Sequence, residues 1–199
     1  MKKLELQPKS TALVVVAHPD DETIWMGGTI ERHKNISWTI FALCRKSDPD
    51  RMPKFLKVAE HYNARGIICD LEDEDIITIK QSIPEIKNII HRELSEKKFD
   101  YIFTHGYNGD YGHPRHVGVH NAVRDMIKNK ELSARKNFYF AYKLDDAKKI
   151  ATPRTDAKFY INLSGKEFKS KRDVIKKLYG FRQMSFENRS CSRIETFTI

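Results

Sequence analysis

Short apolar runs alternate with amphipathic stretches along most of this chain. The first run, residues 12–16, is rich in β-branched side chains and too short for a helix, so it predicts a buried strand over 12–17. Comparable runs predict further strands over 37–43, 67–69, 101–104, 137–142 and 158–163. Helical spacing of apolar residues predicts helices over 22–34 and 166–179 and a helix that begins at about Pro114. Two further helices are predicted: one carries Phe55 to Ala64 and ends at Gly66, and the other has Pro84 near its start.

This alternation of strands and helices predicts the fold class. Strand–helix repeats favour an α/β domain with a mostly parallel, Rossmann-like sheet and helices on both faces. The chain has 199 residues and shows no repeat, low-complexity segment or linker. We therefore expect one domain over residues 1–199.

The first polar motif, Ala17-His18-Pro19-Asp20-Asp21-Glu22, comes directly after the first predicted strand. Open α/β sheets bind ligands at the carboxyl ends of their strands, so this position favours a functional site. A structural alternative is that Asp20 or Asp21 caps the next helix. That alternative explains one carboxylate, but not two consecutive ones preceded by His-Pro.

The second polar motif follows the strand predicted at 101–104, again at a carboxyl end. A loop with Gly106, Gly109 and Gly112 leads into His113-Pro114-Arg115-His116. His116 and His120 are spaced for one face of a helix. We favour His116 as a ligand because it is nearer the loop, and expect His120 to be a packed or supporting residue.

Together the two motifs offer the donor types of a zinc site. His18, Asp21 and His116 could hold Zn²⁺ through two imidazoles and one carboxylate, leaving a fourth position open. Asp20 and His113 would then remain for proton transfer.

These residues resemble the PIG-L/LmbE-like zinc-dependent de-N-acetylase family. The family's Ala-His-Pro-Asp-Asp-Glu motif is matched in full at residues 17–22, and its His-Pro-Asp-His motif is matched at His113, Pro114 and His116. Weaker similarities are Arg51, where the family often carries a substrate-binding Arg, Gln183 after the last helix, and the closing Glu195-Thr196-Phe197.

The resemblance implies zinc bound by His18, Asp21 and His116, with Asp20 as general base. It implies His113 as the protonated partner of the developing oxyanion or leaving amine. The implied reaction removes an acetyl group from an N-acetylglucosamine-type conjugate or a similar small amide. A different metal-dependent amidohydrolase and a metal-binding but catalytically silent protein are the alternatives.

Two positions depart from the family pattern. Arg115 stands where the family usually has Asp, and Lys54 stands where Glu often follows the family's Arg. Three consequences of Arg115 stay open: it weakens His113 as an acid, points into solvent, or binds an anionic substrate group. Asp110 is close enough in sequence to supply the missing carboxylate.

Charge and composition limit the binding partners and the cellular compartment that we expect for this chain. The net charge is +9, but the basic residues are spread along the chain, which disfavours a nucleic-acid interface. A basic rim around an anionic substrate, with Arg51 or Arg115 as its contact, is the preferred expectation. No apolar run approaches the ~20 residues of a membrane span, and no signal-peptide pattern is found. Three scattered cysteines favour the cytoplasm, while no pattern predicts an oligomeric state.

Overall fold

A computed structural model of the protein describes residues 1–74, 76–147 and 149–199. The strands are β1 (Lys2–Lys3), β2 (Thr11–Val16), β3 (Ser37–Ala42), β4 (Arg65–Ile68), β5 (Lys98–Thr104), β6 (Ser133–Phe140), β7 (Tyr142–Leu144), β8 (Ala151–Pro153), β9 (Phe159–Asn162) and β10 (Ile194–Thr198). The helices are α1 (Asp21–Arg32), α2 (Arg51–His61), α3 (Ile79–Glu93), α4 (Gly109–Gly112), α5 (Pro114–Lys128), α6 (Gly165–Asp173) and α7 (Phe186–Ser190), with a π-helical turn at Val174–Leu178.

Eight strands form one sheet in the order β1-β9-β10-β6-β5-β2-β3-β4. From β6 to β4 all neighbouring strands are parallel, and β10 is antiparallel to both β6 and β9. The chain builds β3 and β4 on one side of β2, then crosses to place β5 and β6 on the other. This reversal between β2 and β5 creates the crevice in which doubly wound sheets bind ligands.

Strand β2 shows why the sheet is covered on both faces. Val14 belongs to one apolar cluster with Ile24 of α1 and Phe55 of α2, while its neighbour Val15 belongs to a second cluster with Ile86 of α3. Because successive side chains of a strand point to opposite faces, a continuous apolar run needs a helical layer on each. The predicted α/β class, with a mostly parallel sheet, is confirmed. Among the described residues, no helix is long and apolar enough to cross a bilayer.

Several predicted boundaries are wrong. Helix α2 ends at His61, and Gly66 lies inside β4, where a Cβ would come within 2.8 Å of Ala59. Helix α3 begins at Ile79 rather than near Pro84, because Thr78 and Gln81 form a capping box. The helix predicted over 166–179 is α6 followed by the π-helical turn. The sequence patterns do not predict β1, β8 or β10.

A buried carboxylate on β10 joins the added strands to α1. Glu195 accepts backbone hydrogen bonds from Gly28 (2.8 Å) and Thr29 (2.7 Å), and one from the Thr29 hydroxyl (2.6 Å). Lys171 of α6 completes the set at 2.7 Å, and both charged side chains are fully buried. Position 28 must be a glycine for α1 to lie this close to the added strands, because a Cβ there would come within 2.3 Å of the Leu163 side chain.

We expect Lys171→Met to lower the free energy of unfolding by about 3–5 kcal/mol, since it leaves a buried carboxylate without its cation. Lys169→Met is the matched control, because the Lys169 ammonium pairs with Asp173 at the surface, where solvent screens the pair, so its loss should change stability far less. Urea unfolding measures both. Equal stability of the two variants would show that the donors of α1 satisfy Glu195 without the lysine.

Candidate active site

Three ligand-type atoms meet in the crevice between β2 and β5. His18 Nδ1, Asp21 Oδ2 and His116 Nε2 form a triangle whose three sides are each 3.3 Å. His18 and Asp21 are placed by the turn from β2 into α1, and His116 by the first turn of α5. The structure therefore brings the three predicted metal ligands together from two distant parts of the sequence.

The triangle has the dimensions of a zinc site. In a tetrahedral centre with ligands about 2.0–2.1 Å from zinc, ligand atoms lie about 3.3–3.4 Å from one another. The two nitrogens and one oxygen are donor types that zinc accepts, and three protein ligands leave one position open. The residues present thus fit a zinc ion, and His18 borders an open cleft of about 360 Å³.

Each ligand is oriented by a hydrogen bond from its other polar atom. His18 Nε2 lies 2.8 Å from Asp73 Oδ1, His116 Nδ1 lies 3.0 Å from Asp110 Oδ2, and Asp21 Oδ1 accepts a 2.9 Å bond from the Trp25 indole. A carboxylate behind an imidazole fixes the tautomer, leaving the nitrogen inside the triangle free to donate its lone pair.

Asp110 also holds a third imidazole. Its Oδ2 lies 2.5 Å from Nδ1 of His105, whose Nε2 accepts a 2.9 Å bond from the backbone of Ala17. His105 is fully buried and stacks on His116 with ring centroids 3.8 Å apart. Asp110 therefore supports His116 rather than supplying His113 with the missing family carboxylate.

The two adjacent carboxylates of the first motif have opposite electrostatic surroundings. Burial disfavours the charge on Asp21, but His116, His105 and His18 outweigh it and hold the pKa of Asp21 well below its ordinary value. Burial, reinforced by the charge of Asp21, raises the pKa of Asp20 well above its ordinary value, against the pull of Arg51. Asp21 is thus the better anionic ligand, and Asp20 the carboxyl that more readily takes a proton.

The pKa values of the two ligand imidazoles, His18 and His116, are both raised. Burial opposes their charge, but Asp21 and the carboxylate behind each ring prevail, raising the pKa of His18 and of His116 to about 9. Protons and a metal ion therefore compete for the two ring nitrogens that face the triangle.

Asp20 sits in a strained backbone conformation. Its φ of 118° and ψ of −29° are in a region that non-glycine residues rarely adopt, at a cost of about 1–3 kcal/mol. Asp20 occupies the N-cap position of α1, yet its side chain makes no capping hydrogen bond; Arg51 Nη1 donates to it at 3.1 Å. The capping alternative therefore does not account for this carboxylate.

His113 lies beside the triangle, with its ring centroid 4.8 Å from those of both His18 and His116. It caps α5, and its Nδ1 accepts a 3.2 Å bond from the backbone of Arg115. The neutral ring then carries its proton on Nε2. Burial, together with the positive charges of His116 and His18, lowers the pKa of His113 to about 3.

The expected contact of Arg115 with substrate or solvent is wrong. Its side chain is fully buried, and Nη2 donates to Glu72 at 3.0 Å and to the carbonyl of Ile77 at 2.8 Å. The guanidinium anchors the segment that carries Asp73, and it does not line the cleft. His120, expected to be packed, is buried with Nδ1 2.9 Å from the carbonyl of His105.

The expected basic rim is also not what the cleft presents. Arg51 and Arg45 reach it, but each is hydrogen-bonded to a carboxylate, Asp20 and Asp73 respectively. Carboxylates outnumber the two arginines, and aromatic rings form one wall. The lining residues are His18, Pro19, Asp20, Asp21, Ile24, Trp25, Arg45, Asp48, Arg51, Asp73, Tyr111, His113, Phe186 and Glu187.

Sequence reasoning missed two supporting residues. His105 directly follows β5, so the rule that selected His18 at the end of β2 could have found it. Asp73 lies in an acidic segment with no motif, and its contact with His18 depends on a loop that no local pattern specifies.

Comparison with known proteins points to one family. The sequence profile of PIG-L, described as GlcNAc-PI de-N-acetylase, matches residues 13–127, more than half of the chain. A 1D-myo-inositol 2-acetamido-2-deoxy-alpha-D-glucopyranoside deacetylase of Corynebacterium diphtheriae is 24% identical, over 61% of this chain and 53% of its own. A probable N-acetylglucosaminyl-phosphatidylinositol de-N-acetylase of Dictyostelium discoideum is 22% identical, over 61% and 51%. Protein L374 of Acanthamoeba polyphaga mimivirus is 25% identical, over 60% and 59%.

The chain thus spans between 51% and 59% of the length of these relatives. Solved structures share its fold at low sequence identity. The A40926 pseudoaglycone deacetylase Dbv21 superposes with a TM-score of 0.60 at 11% identity, covering 85% of this chain and 81% of Dbv21. GalB, a 4-carboxy-2-hydroxymuconate hydratase of Pseudomonas putida, superposes with 0.57 at 15% identity, covering 90% and 83%.

We expect His18→Ala and His116→Ala to lose nearly all bound metal, since each removes one corner of the triangle. His91→Ala is the control, because His91 lies at the surface against Glu131. Metal content per chain, measured on purified proteins, tests this. Full metal content in both ligand variants would refute the assignment.

We expect Asp110→Asn to weaken metal binding about 10–100-fold while leaving the site intact. Both imidazoles bond to Oδ2 and the Gly106 N–H donates to Oδ1, so the amide would turn its NH2 group toward one of these donors, and it would also lack the negative charge. Competition with a chelator measures the affinity. Asp100→Asn, at the surface end of β5, serves as the control. An unchanged affinity in Asp110→Asn would mean that packing alone orients His116.

Proposed function

This chain belongs to the PIG-L family, and from that premise we propose that it is a zinc-dependent deacetylase acting on an N-acetylglucosamine-type conjugate. The observation that carries the proposal is the 3.3 Å triangle of His18, Asp21 and His116 beside Asp20 and His113. The two relatives named as deacetylases both carry an acetamido sugar in the names of their substrates, which supports this substrate class.

The metal and the protein would divide the chemistry of amide hydrolysis. A zinc ion held by the triangle would act as a Lewis acid on the amide carbonyl and lower the pKa of water. The chain itself must bind the sugar, accept a proton from the attacking water, stabilise the developing oxyanion and protonate the leaving amine.

Asp20 is suited to move the proton. Burial and the charge of Asp21 raise its pKa, so its carboxylate is a stronger base than a solvated one, and it lines the cleft. We assign to Asp20 both the removal of a proton from water and its return to the nitrogen as the C–N bond breaks. The products are acetate and an amine.

Of the two tasks that the resemblance implied for His113, partner of the developing oxyanion or of the leaving amine, the first suits it, but as a neutral rather than a protonated ring. Burial beside His18 and His116 disfavours a protonated ring, and a metal cation would oppose its charge in the same way. The neutral ring, with its proton on Nε2, would donate a hydrogen bond to the developing oxyanion. We therefore assign oxyanion stabilisation to His113.

The cleft walls are suited to a sugar. The partly exposed rings of Tyr111 and Phe186 lie 4.8 Å apart by centroid, which gives an apolar surface for a pyranose face. The buried ring of Trp25 packs behind Tyr111 at 6.0 Å. Arg51, partly exposed over the ring of Phe181, stays our candidate for a direct contact with sugar oxygens. The acidic lining gives no support to an anionic substrate group.

A catalytically silent metal protein and another metal-dependent amidohydrolase are the alternatives that turnover must distinguish. The fold does not choose between them, since a hydratase shares it.

The test is acetate release from N-acetylglucosaminyl conjugates by the zinc-loaded protein. We expect turnover by the unmodified chain, and a loss of about 10²–10⁴-fold in Asp20→Asn, which removes the base. Asp20→Asn should keep its zinc, because the triangle is intact, whereas Asp21→Asn should lose it. Asp48→Asn, a lining carboxylate outside the motif, is the matched control. Zinc content without turnover on any acetamido sugar would favour the silent protein.

A further inference from the structure

We propose that the segment 174–181, the π-helical turn and the three residues after it, is a positioning element for Asp20. Tyr179 acts on the backbone of Asp20 through Glu22, and Phe181 acts on its side chain through Arg51. The role given to Asp20 itself rests on the proposed function. The positioning contacts stand on geometry alone.

The first route runs through a buried carboxyl group. Tyr179 OH donates to Glu22 Oε1 at 2.9 Å, and Glu22 Oε2 accepts the backbone N–H of Asp20 at 3.1 Å. Glu22 and Tyr179 are both buried, so water does not replace either bond. Without this acceptor, the Asp20 N–H would be a buried donor in a strained residue.

The second route runs through a cation. The Arg51 guanidinium lies 4.5 Å above the centroid of the Phe181 ring, and its Nη1 donates to Asp20 Oδ2 at 3.1 Å. An aromatic face under a guanidinium limits its movement and favours its charge. Phe181 thus holds Arg51 in the direction of Asp20.

The π-helical turn explains how one short segment serves both routes. The backbone N–H of Tyr179 bonds to the carbonyl of Val174, five residues back, and this wider turn inserts one residue relative to an α-helix. Gly180 then adopts a φ of +81°, which a glycine tolerates, and the chain reverses to present Phe181 to Arg51.

This element lies outside the part of the chain that matches the family profile, residues 13–127. The strained φ of Asp20 also needs an external constraint, because its own side chain does not cap α1. The C-terminal third of the chain would therefore set the geometry of a residue near its beginning.

Two variants and two matched controls test the proposal. Tyr179→Phe removes the direct bond to Glu22, and Tyr62→Phe removes a hydroxyl of the same cluster that is hydrogen-bonded to Thr23 rather than to Glu22. Phe181→Leu removes the ring under Arg51, and Phe168→Leu removes the ring under Arg172, which does not reach the site. The first readout is hydrogen exchange of the Asp20 amide, referred to that of Val14 in the core of β2, with and without zinc.

We expect Tyr179→Phe to lose about tenfold or more of the protection of the Asp20 amide beyond any change at Val14, and Tyr62→Phe to lose none beyond it. In acetate release, we expect Tyr179→Phe to lower kcat about 10–100-fold with KM nearly unchanged. Phe181→Leu should lower kcat by a similar factor and also raise KM, because Arg51 is the candidate contact of the sugar as well as the partner of Asp20. Neither should lower kcat further in the Asp20→Asn background, because the residue they position has already been replaced.

If the Asp20 amide exchanges no faster in Tyr179→Phe than in Tyr62→Phe, relative to the Val14 amide, the route through Glu22 is overturned. Equal losses of kcat with and without Asp20 would overturn both routes, since they would show a general effect on the fold. If no acetamido sugar is turned over, the proposed function fails, and exchange at Asp20 in Tyr179→Phe still decides the positioning through Glu22.

Discussion

Two consecutive carboxylates, Asp20 and Asp21, are buried in the corner between β2 and α1, and many of the surrounding residues offset the energetic cost of burying them. Adjacent buried negative charges repel each other and lose hydration, so each needs its own compensation. Asp21 receives three imidazoles, and Asp20 receives one guanidinium and a raised pKa. The parallel sheet makes this division feasible, because it brings the ends of β2 and β5 side by side.

A second layer of acidic groups follows from the first. Imidazoles gathered around Asp21 would repel one another if nothing stood behind them. Asp110 lies against two of them and Asp73 against a third, and Arg45 in turn pairs with Asp73. The cleft is therefore acidic in a chain whose net charge is +9, because surface lysines contribute to the total while the site is built from alternating layers of charge. Net charge is a poor guide to the substrate here.

The part of the chain that matches the PIG-L profile and the part after it contribute different residues to the site. The profile covers the strands and helices that carry the triangle, whereas β6 to β10, α6, α7 and the π-helical turn come after it. Those later elements supply Glu195 beneath α1, Phe186 on the cleft wall, and Tyr179 and Phe181 beside Asp20. Because a deacetylase and a hydratase share this fold, the fold does not determine which reaction occurs, and local contacts at the site must do so.

The sequence by itself determined the parallel sheet, the position of the site at its strand ends, and the three residues of the triangle. Each depends on local information: a β-branched run, a polar motif directly after it, and the spacing of His113 and His116. Only the tertiary structure decided where Arg115 points, which carboxylate orients which imidazole, and that β10 joins the sheet antiparallel to its neighbours. The burial of Arg115 against the carbonyl of Ile77, the contact of Asp73 with His18, and the reach of Tyr179 to Glu22 all join segments far apart in the chain or set by loop geometry. Such contacts depend on rotamers and on the packing of whole elements, which local sequence patterns do not encode.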